Sequence, residues 1–500
     1  MATREPDGDG LTYGSRAGRW VIAASALGSG MASIDATVVG IALPTIGREF
    51  HATVAQLQWV VNGYTLSLAA LLLVGGSLGD RFGRRRVFTV GVAWFTLASA
   101  ACAVAPGAPA LIALRVLQGV GGALLTPGSL AILQSSFRSA DRGQAIGAWT
   151  GLGGVASAVG PFVGGALIAV ASWRWIFVIN LPVGLVVLLL AVRHVPESRD
   201  PTARARVDVP GAVLVIVALT GVTYGLIEGP ANGWHGAGPA VALVTGAVAA
   251  VAFVVGESRT SAPLLPLGLF RHRQFSVTTA VTFVVYGALG GVLFLLPVVL
   301  QVVGHYTPLA SGLALLPLTG VMLLLSSTSG RVAARLGPRL QMSVGPVVVG
   351  CGLALLSRIG TDSSYASGVL PAVLVFGLGL AVTVAPLTAT ALSSAPEQHT
   401  GLASAVNNDV ARIGGLVAVA VLPALSGISG SAYLHPTELA GGFRTAALVA
   451  GAWCVAGGVL AAVGIRNPPR PAPDPDPTAG GTHVPLHHCG LDAPPPVTAR

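Results

Sequence analysis

The sequence predicts an all-α polytopic membrane protein with fourteen transmembrane helices, and three observations predict it. Hydrophobic residues make up 53% of the 500 and charged residues only 9%, with a mean hydropathy of +0.76; soluble domains carry about 25% charged residues. A chain this apolar cannot cover its surface against water, so it needs lipid as solvent. Fourteen separate runs are each long enough to cross a bilayer core of about 30 Å, which takes about 20 apolar residues in a helix. The third observation is how arginine is shared among the gaps between those runs.

The runs span 20–43, 53–75, 88–105, 109–134, 144–170, 175–195, 209–228, 237–257, 276–301, 309–329, 341–360, 368–392, 400–424 and 443–465. Interior glycine and proline do not argue against them, because neighbouring helices re-satisfy the freed backbone groups. All 28 basic residues are Arg, a bias that fits a high-GC bacterial genome. Fourteen crossings put both termini on one side. That side then holds 22 arginines and the other only four, Arg48, Arg174, Arg358 and Arg444, while Arg115 and Arg412 fall inside runs. The positive-inside rule makes the rich side cytoplasmic, in a multi-pass protein of the cytoplasmic membrane. A miscount by one helix would scramble the asymmetry.

The same scatter reads the net charge of +9 as topology, not as a nucleic-acid face. The N-terminal MATREPDGDG mixes acids with its Arg, and no small-residue cleavage site follows, so the first helix is expected to be retained. Cys102, Cys351 and Cys454 lie in apolar runs and Cys489 in the tail, which is no disulfide framework.

The gaps also carry a repeat. GSLGDRFGRR at 76–85 aligns without gaps on GRVAARLGPR at 330–339, so that Gly76, Arg81, Gly83 and Arg85 meet Gly330, Arg335, Gly337 and Arg339. The copies follow the second and tenth runs. Two six-helix halves therefore leave two surplus spans between them. The expected organisation is a cytoplasmic tail (1–19), a six-helix bundle (20–195), a linker (196–208), two extra helices (209–257), a second linker (258–275), a second bundle (276–465) and a Pro-rich disordered tail (466–500). Repeated halves with a site between them are typical of secondary transporters.

Five stretches together resemble a known family. They are SIDATVVGIALP at 33–44, GSLGDRFGRRR at 76–86, LIALRVLQGVGGA at 111–123, GLGGVASAVGPFVGG at 151–165 and WRWIFVINLPVG at 173–184. The pattern, covering about 17–465, resembles the major facilitator superfamily, in particular its fourteen-span drug:proton antiporters. The resemblance implies the major facilitator fold, with two six-helix bundles plus two extra central helices. It also implies a cytoplasmic latch between the halves built on Gly76, Asp80, Arg81, Gly83, Arg84 and Arg85, and an antiporter motif at Gly160, Pro161, Gly164 and Gly165. The second copy has Ala334 where the first has Asp80, so the acid's role does not carry over to that half. From the residues alone, the glycines permit close helix approach, a carboxylate suits a helix N-terminus, and the arginines fix topology.

Ionisable groups inside a membrane cost about 2.5–3.5 kcal/mol each at a helix centre, so they are functional candidates by default. Four stand out: Asp35, Arg115, Asp409 and Arg412. Asp35 has no basic residue near it on its own helix and reads either as a proton-coupling acid or as a permanent partner of Arg115. The resemblance links Arg115 to proton transfer; structurally it could equally hold carbonyls between helices. Asp409 and Arg412 share a helical face. They read as a self-neutralised pair or, with Asn407, Asn408, Gln118 and Trp149, as cavity lining; for Trp149 a lipid-facing position is the alternative. Trp173, Arg174 and Trp175 are expected at the outer interface, and Glu228 and Glu257 in contact with solvent. In the tail, His483, His487, His488 and Cys489 have nothing to order them as metal ligands.

The expected function is proton-coupled antiport, exporting small lipophilic toxic compounds or antibiotics by alternating access and so conferring resistance. The alternative is proton-coupled uptake or export of a metabolite or nutrient, for which the spans offer few polar groups. An enzyme is not expected: no paired catalytic acids or nucleophile constellation appears, and no histidine lies deep in a span for haem. The expected partners are a small lipophilic substrate, protons and lipid, with no nucleic acid, and the chain is expected to work as a monomer. No cofactor is expected, the proton gradient supplying the energy. With Asp35 read as the one unpaired membrane acid, neutral or monocationic substrates are favoured.

Overall fold

Apolar runs set the helices, and capping residues decide where they begin. The computed structural model describes residues 10–200, 208–260, 264–361, 363–394 and 400–467. The expected tail beyond residue 467, including His483, His487, His488 and Cys489, residues 201–207 of the first linker and 261–263 of the second lie outside the described residues. Fourteen helices are long and apolar enough to cross a membrane: α1 (Arg16–Phe50), α2 (Val54–Phe82), α3 (Arg84–Ala103), α4 (Ala108–Ser136), α5 (Ser139–Val170), α6 (Trp175–His194), α7 (Val209–Ala231), α8 (Gly238–Arg259), α9 (Arg273–Val302), α10 (Pro308–Leu336), α11 (Pro338–Leu356), α12 (Tyr365–Ser393), α13 (Leu402–Leu425) and α14 (Pro436–Gly464).

Several helices extend beyond their apolar runs, because a helix continues through the polar boundary until a cap or turn stops it. At the start of α1 the Ser15 hydroxyl accepts from the Gly18 N–H at 3.0 Å. His51, at φ 50°, ends that helix in the left-handed region. At the start of α2, Thr53 and Gln56 form a reciprocal capping box.

The 254-residue echo is a shared backbone turn. Gly83 joins α2 to α3 at φ +113°, and Gly337 joins α10 to α11 at φ +84°. Each donates its N–H to the carbonyl four residues back, that of Gly79 and that of Ala333. Both conformations favour glycine, so the aligned glycines mark the same corner in each half.

Helices α1–α6 pack among themselves, with α4 between α2 and α3 and α1 against α5 and α6; α9–α14 pack likewise, with α9 against α13 and α14 and α11 against α12 and α14. The extra helix α8 packs on α7, and α7 touches both α2 and α13. It therefore lies along the junction of the halves. There Ala55 of α2, Ile227 of α7 and Ala420 of α13 form one apolar cluster.

The halves are sealed at the arginine-poor end. Gln58 donates to the Val419 carbonyl at 2.6 Å and Asn62 to that of Leu416 at 3.2 Å. Gln301 donates to the Ile41 carbonyl at 2.9 Å and Tyr433 to that of Ala52 at 2.8 Å. All these residues sit on the arginine-poor side of their helices. Among the described residues, no hydrogen bond between α1–α6 and α9–α14 is found at the arginine-rich ends.

Candidate functional site

Asp35, midway along α1, is fully buried. Its Oδ2 accepts from Arg115 Nη1 of α4 at 2.5 Å. Its Oδ1 accepts from Gln118 Nε2 of α4 at 2.8 Å and from Asn180 Nδ2 of α6 at 3.2 Å. Arg115, 1% exposed, also donates to the Gln118 side chain and, from Nε, to the Val60 carbonyl of α2. Its guanidinium lies 4.4 Å from the centre of the Tyr64 ring. The carboxylate thus ties α1 to α4 and α6, and Arg115 extends the cluster to α2, so that it spans four helices of the first half. The expectation that Asp35 is an unpaired acid is corrected: it is the acceptor of a closed, charge-neutral cluster, held there by packing that brings residues 80 positions apart into contact. Gln118 belongs to this cluster and is buried, so it does not line an open cavity. Asn180, Ser99, which accepts from Asn180 at 3.0 Å, and Tyr64 were not singled out from sequence. Their signal was a lone amide, hydroxyl or phenol within an apolar run.

The GPFVGG stretch of α5 brings helices together. Gly160 and Gly164 pack directly on Thr37 and Val38 of α1. Gly165 faces the other half, where a Cβ would lie 2.6 Å from the Pro308 carbonyl oxygen of α10, and the Pro161 carbonyl abuts Gly312 of α10. Every nearest atom on that second face is backbone, so the crossing tolerates no side chain.

The loop at 76–86 is tied within its own half. Asp80 pairs with Arg84 at 2.7 Å, and its carbonyl accepts the Asp200 N–H. Arg85 and Arg86 lie 3.7 and 3.8 Å from the Glu197 carboxylate, just beyond α6. Arg81 stacks on Phe82. Among the described residues, no ion pair joins this loop to α9–α14, so the expected latch across the halves is not engaged in this conformation.

Asp409 and Arg412 of α13 sit one turn apart but form no ion pair among the described residues. That corrects the reading of them as a self-neutralised pair. Asp409 is 9% exposed, with its Oδ1 buried and without a hydrogen-bond partner. Asn407 is buried and accepts from Thr282 of α9 at 2.8 Å; Asn408 beside it is exposed. The unpaired membrane charges therefore lie in the second half, not at Asp35.

The geometry is that of a two-bundle carrier, and the comparisons agree. A model of the Major Facilitator Superfamily matches residues 25–419. The chain belongs to this superfamily. Within it, the chain is 37% identical over 424 residues to the tetracenomycin C resistance and export protein of Streptomyces glaucescens, covering 84% of this chain and 79% of that one. It is 36% identical over 414 residues to the multidrug resistance protein Stp of Mycobacterium tuberculosis, covering 83% and 76%. It is 35% identical over 421 residues to a methylenomycin A resistance protein of Bacillus subtilis, covering 84% and 90%. These relatives place it in the superfamily's drug-efflux branch. The fold is also that of a bacterial homolog of the human lysosomal transporter Spinster, with a TM-score of 0.66 at 16% identity over 90% of this chain and 97% of that one.

Other expectations about this superfamily member change in the structure. Trp149 of α5 is half-buried and donates to the Ser29 hydroxyl of α1 at 2.8 Å, so its polar edge is used within the first half. Trp173 is 1% exposed, bonded to Glu49 at 2.5 Å and set edge-on between Phe50 and Phe177, which corrects its assignment to the interface. Trp175 stays exposed. Glu228 is not simply solvated: it accepts from the Trp59 indole at 2.9 Å. Glu257 is 4% exposed and accepts from the Leu265 N–H at 2.9 Å. Glu228, within its helix, is reached by Trp59 of α2, and Glu257 by the segment that returns after α8.

Proposed function

We propose that this chain is a proton-coupled antiporter that exports small lipophilic compounds, antibiotics among them, across a bacterial cytoplasmic membrane by alternating access. The observation that carries the reading is the Asp35 cluster. An ionised carboxylate in mid-membrane is retained at a cost, and here it accepts from three side chains on two neighbouring helices. A protonated carboxyl gains a donor and loses much of its accepting capacity. Protonating Asp35 would free Arg115 and loosen α4 and α6 from α1. Six residues along α1, the Ile41 carbonyl accepts from Gln301 of the second half. A shift of α1 would therefore be felt at the seal between the halves, which is what coupling a proton to a change of access requires.

With the arginine-rich end cytoplasmic, the conformation seen here is sealed toward the outside. Substrate would enter from the cytoplasm, and protons arriving from outside would drive the return. The alignment with antibiotic resistance and export proteins supports the direction and the class of cargo. No observation favours nutrient uptake.

Everted membrane vesicles carrying a pH-sensitive dye test this. After energisation, tetracenomycin C or methylenomycin A should partly collapse the gradient with the wild-type chain and not with Asp35→Asn. Equal responses in the two, or none with any compound, would remove the proposal.

A further inference from the structure

The first half neutralises its buried arginine; the second does not. Arg412 lies midway along α13, half-buried, and makes no hydrogen bond or ion pair among the described residues. A guanidinium keeps its charge at any physiological pH and carries five donors with no acceptor, so at this depth it calls for an oxyanion. Its neighbour Asp409 lies within electrostatic reach but closes no ion pair or hydrogen bond with it among the described residues. Elsewhere in the chain, where an acid and an arginine one turn apart do neutralise each other, the pair closes to 2.7 Å, as Asp80 and Arg84 do.

The face carrying these groups points across the boundary of the halves. Leu416, one turn beyond Arg412, gives its carbonyl to Asn62 of α2, and Arg412 lies within electrostatic reach of Tyr64 on the same helix. The other charges nearby, Asp35 and Arg115, are spent on each other. Residues 409 and 412 lie on the arginine-rich side of the Asn62 contact, where no hydrogen bond joins the halves among the described residues.

We propose that Arg412 and Asp409 are a substrate-binding dyad for a lipophilic weak acid. The substrate's oxyanion, a phenolate or carboxylate, pairs with the Arg412 guanidinium. A hydroxyl or amide donor beside it fills the vacant Asp409 Oδ1. Planar oxygens suit the guanidinium fork, which binds them with two parallel hydrogen bonds. This reverses the preference for neutral or monocationic compounds that an unpaired Asp35 implied. It rests on the export reading only for the direction of transport, since binding can be measured without it.

The probes are fluorescein, an anionic dye, and rhodamine 123, a cationic dye on the same xanthene frame. Fluorescence anisotropy would follow each dye on the full-length protein in lipid nanodiscs. Wild type should bind fluorescein at least about tenfold more tightly than rhodamine 123. Arg412→Gln should lose that preference by about tenfold or more, and Arg412→Lys should retain part of it. Both variants should elute from size exclusion as wild type does, and retention in the lysine variant separates lost charge from lost fold. Absence of the preference in wild type, or its survival in Arg412→Gln, overturns the proposal. The vesicle assay reports independently: a failure there removes proton-coupled export and leaves this binding result standing.

Discussion

Arg115 reaches Asp35 across 80 residues of sequence and places its guanidinium on a carboxylate sealed from solvent. Breaking a buried pair by removing one partner leaves an uncompensated charge and costs about 3–5 kcal/mol, whereas replacing both with apolar residues of similar volume is often neutral. Arg115→Ala is therefore expected to lower thermal stability in detergent sharply, and the double variant Asp35→Leu/Arg115→Met to recover most of the loss. Scanning fluorimetry checks this. A double variant as unstable as the single one would mean that packing of the Arg115 stem, not its charge, dominates.

The crossing of α5 on α10 supplies a second prediction. At Gly165 an added methyl would meet the Pro308 carbonyl at 2.6 Å and the Leu309 Cα at 2.7 Å, both backbone atoms. Gly165→Ala should force the two halves apart, losing drug-dependent proton movement with the protein still inserted. Gly153→Ala, on the same helix with open space around it, should transport normally. The vesicle assay on both variants decides, and equal activity would mean that the crossing gives way at little cost.

The corner glycines make a matched pair. Alanine at Gly83 or Gly337 must adopt an extended positive-φ conformation that is nearly restricted to glycine, which costs on the order of 1–3 kcal/mol. At Gly83 the new methyl also meets the Glu197 carboxylate. Gly83→Ala should lower stability at least as much as Gly337→Ala, and both should exceed Gly79→Ala, whose methyl meets only ordinary contact at 3.9 Å. Urea or thermal unfolding in detergent ranks the three.

The extra helices were the least legible part of the chain, and the structure assigns one of them a contact. Trp59 of α2 gives its indole N–H to Glu228 of α7 at 2.9 Å and stands 6.2 Å from Tyr224, beside the cluster of Ala55, Ile227 and Ala420. That contact clasps the sealed end. Trp59→Phe should loosen it, so a cysteine placed at Ala55 should react several-fold faster with a membrane-impermeant maleimide in intact cells. Unchanged labelling would show that α7 is a passenger.

What the sequence revealed follows from the physics of lipid. Spans, topology and the repeat are local signals: apolar length, arginine in gaps and a glycine where the chain turns with positive φ. Gly83 and Gly337 could be matched by alignment because the turn itself demands them. Pairings were another matter. Asp35 with Arg115 was one of two open readings, because reach between helices depends on crossing angles that no single run encodes. Asp409 and Arg412 looked like partners because they share a face, yet proximity on a helix does not oblige two side chains to meet. Trp173 read as an interfacial anchor from its place at a span end, but Glu49, 124 residues earlier, draws its indole inward.

The most direct test uses the purified chain alone in proteoliposomes, with a pH gradient imposed across the membrane and tetracenomycin C followed by its absorbance. Coupling through Asp35 predicts that drug moves against the proton flux, that a protonophore stops it, and that Asp35→Asn abolishes it. Drug movement that is indifferent to the gradient, or preserved in Asp35→Asn, would contradict the account.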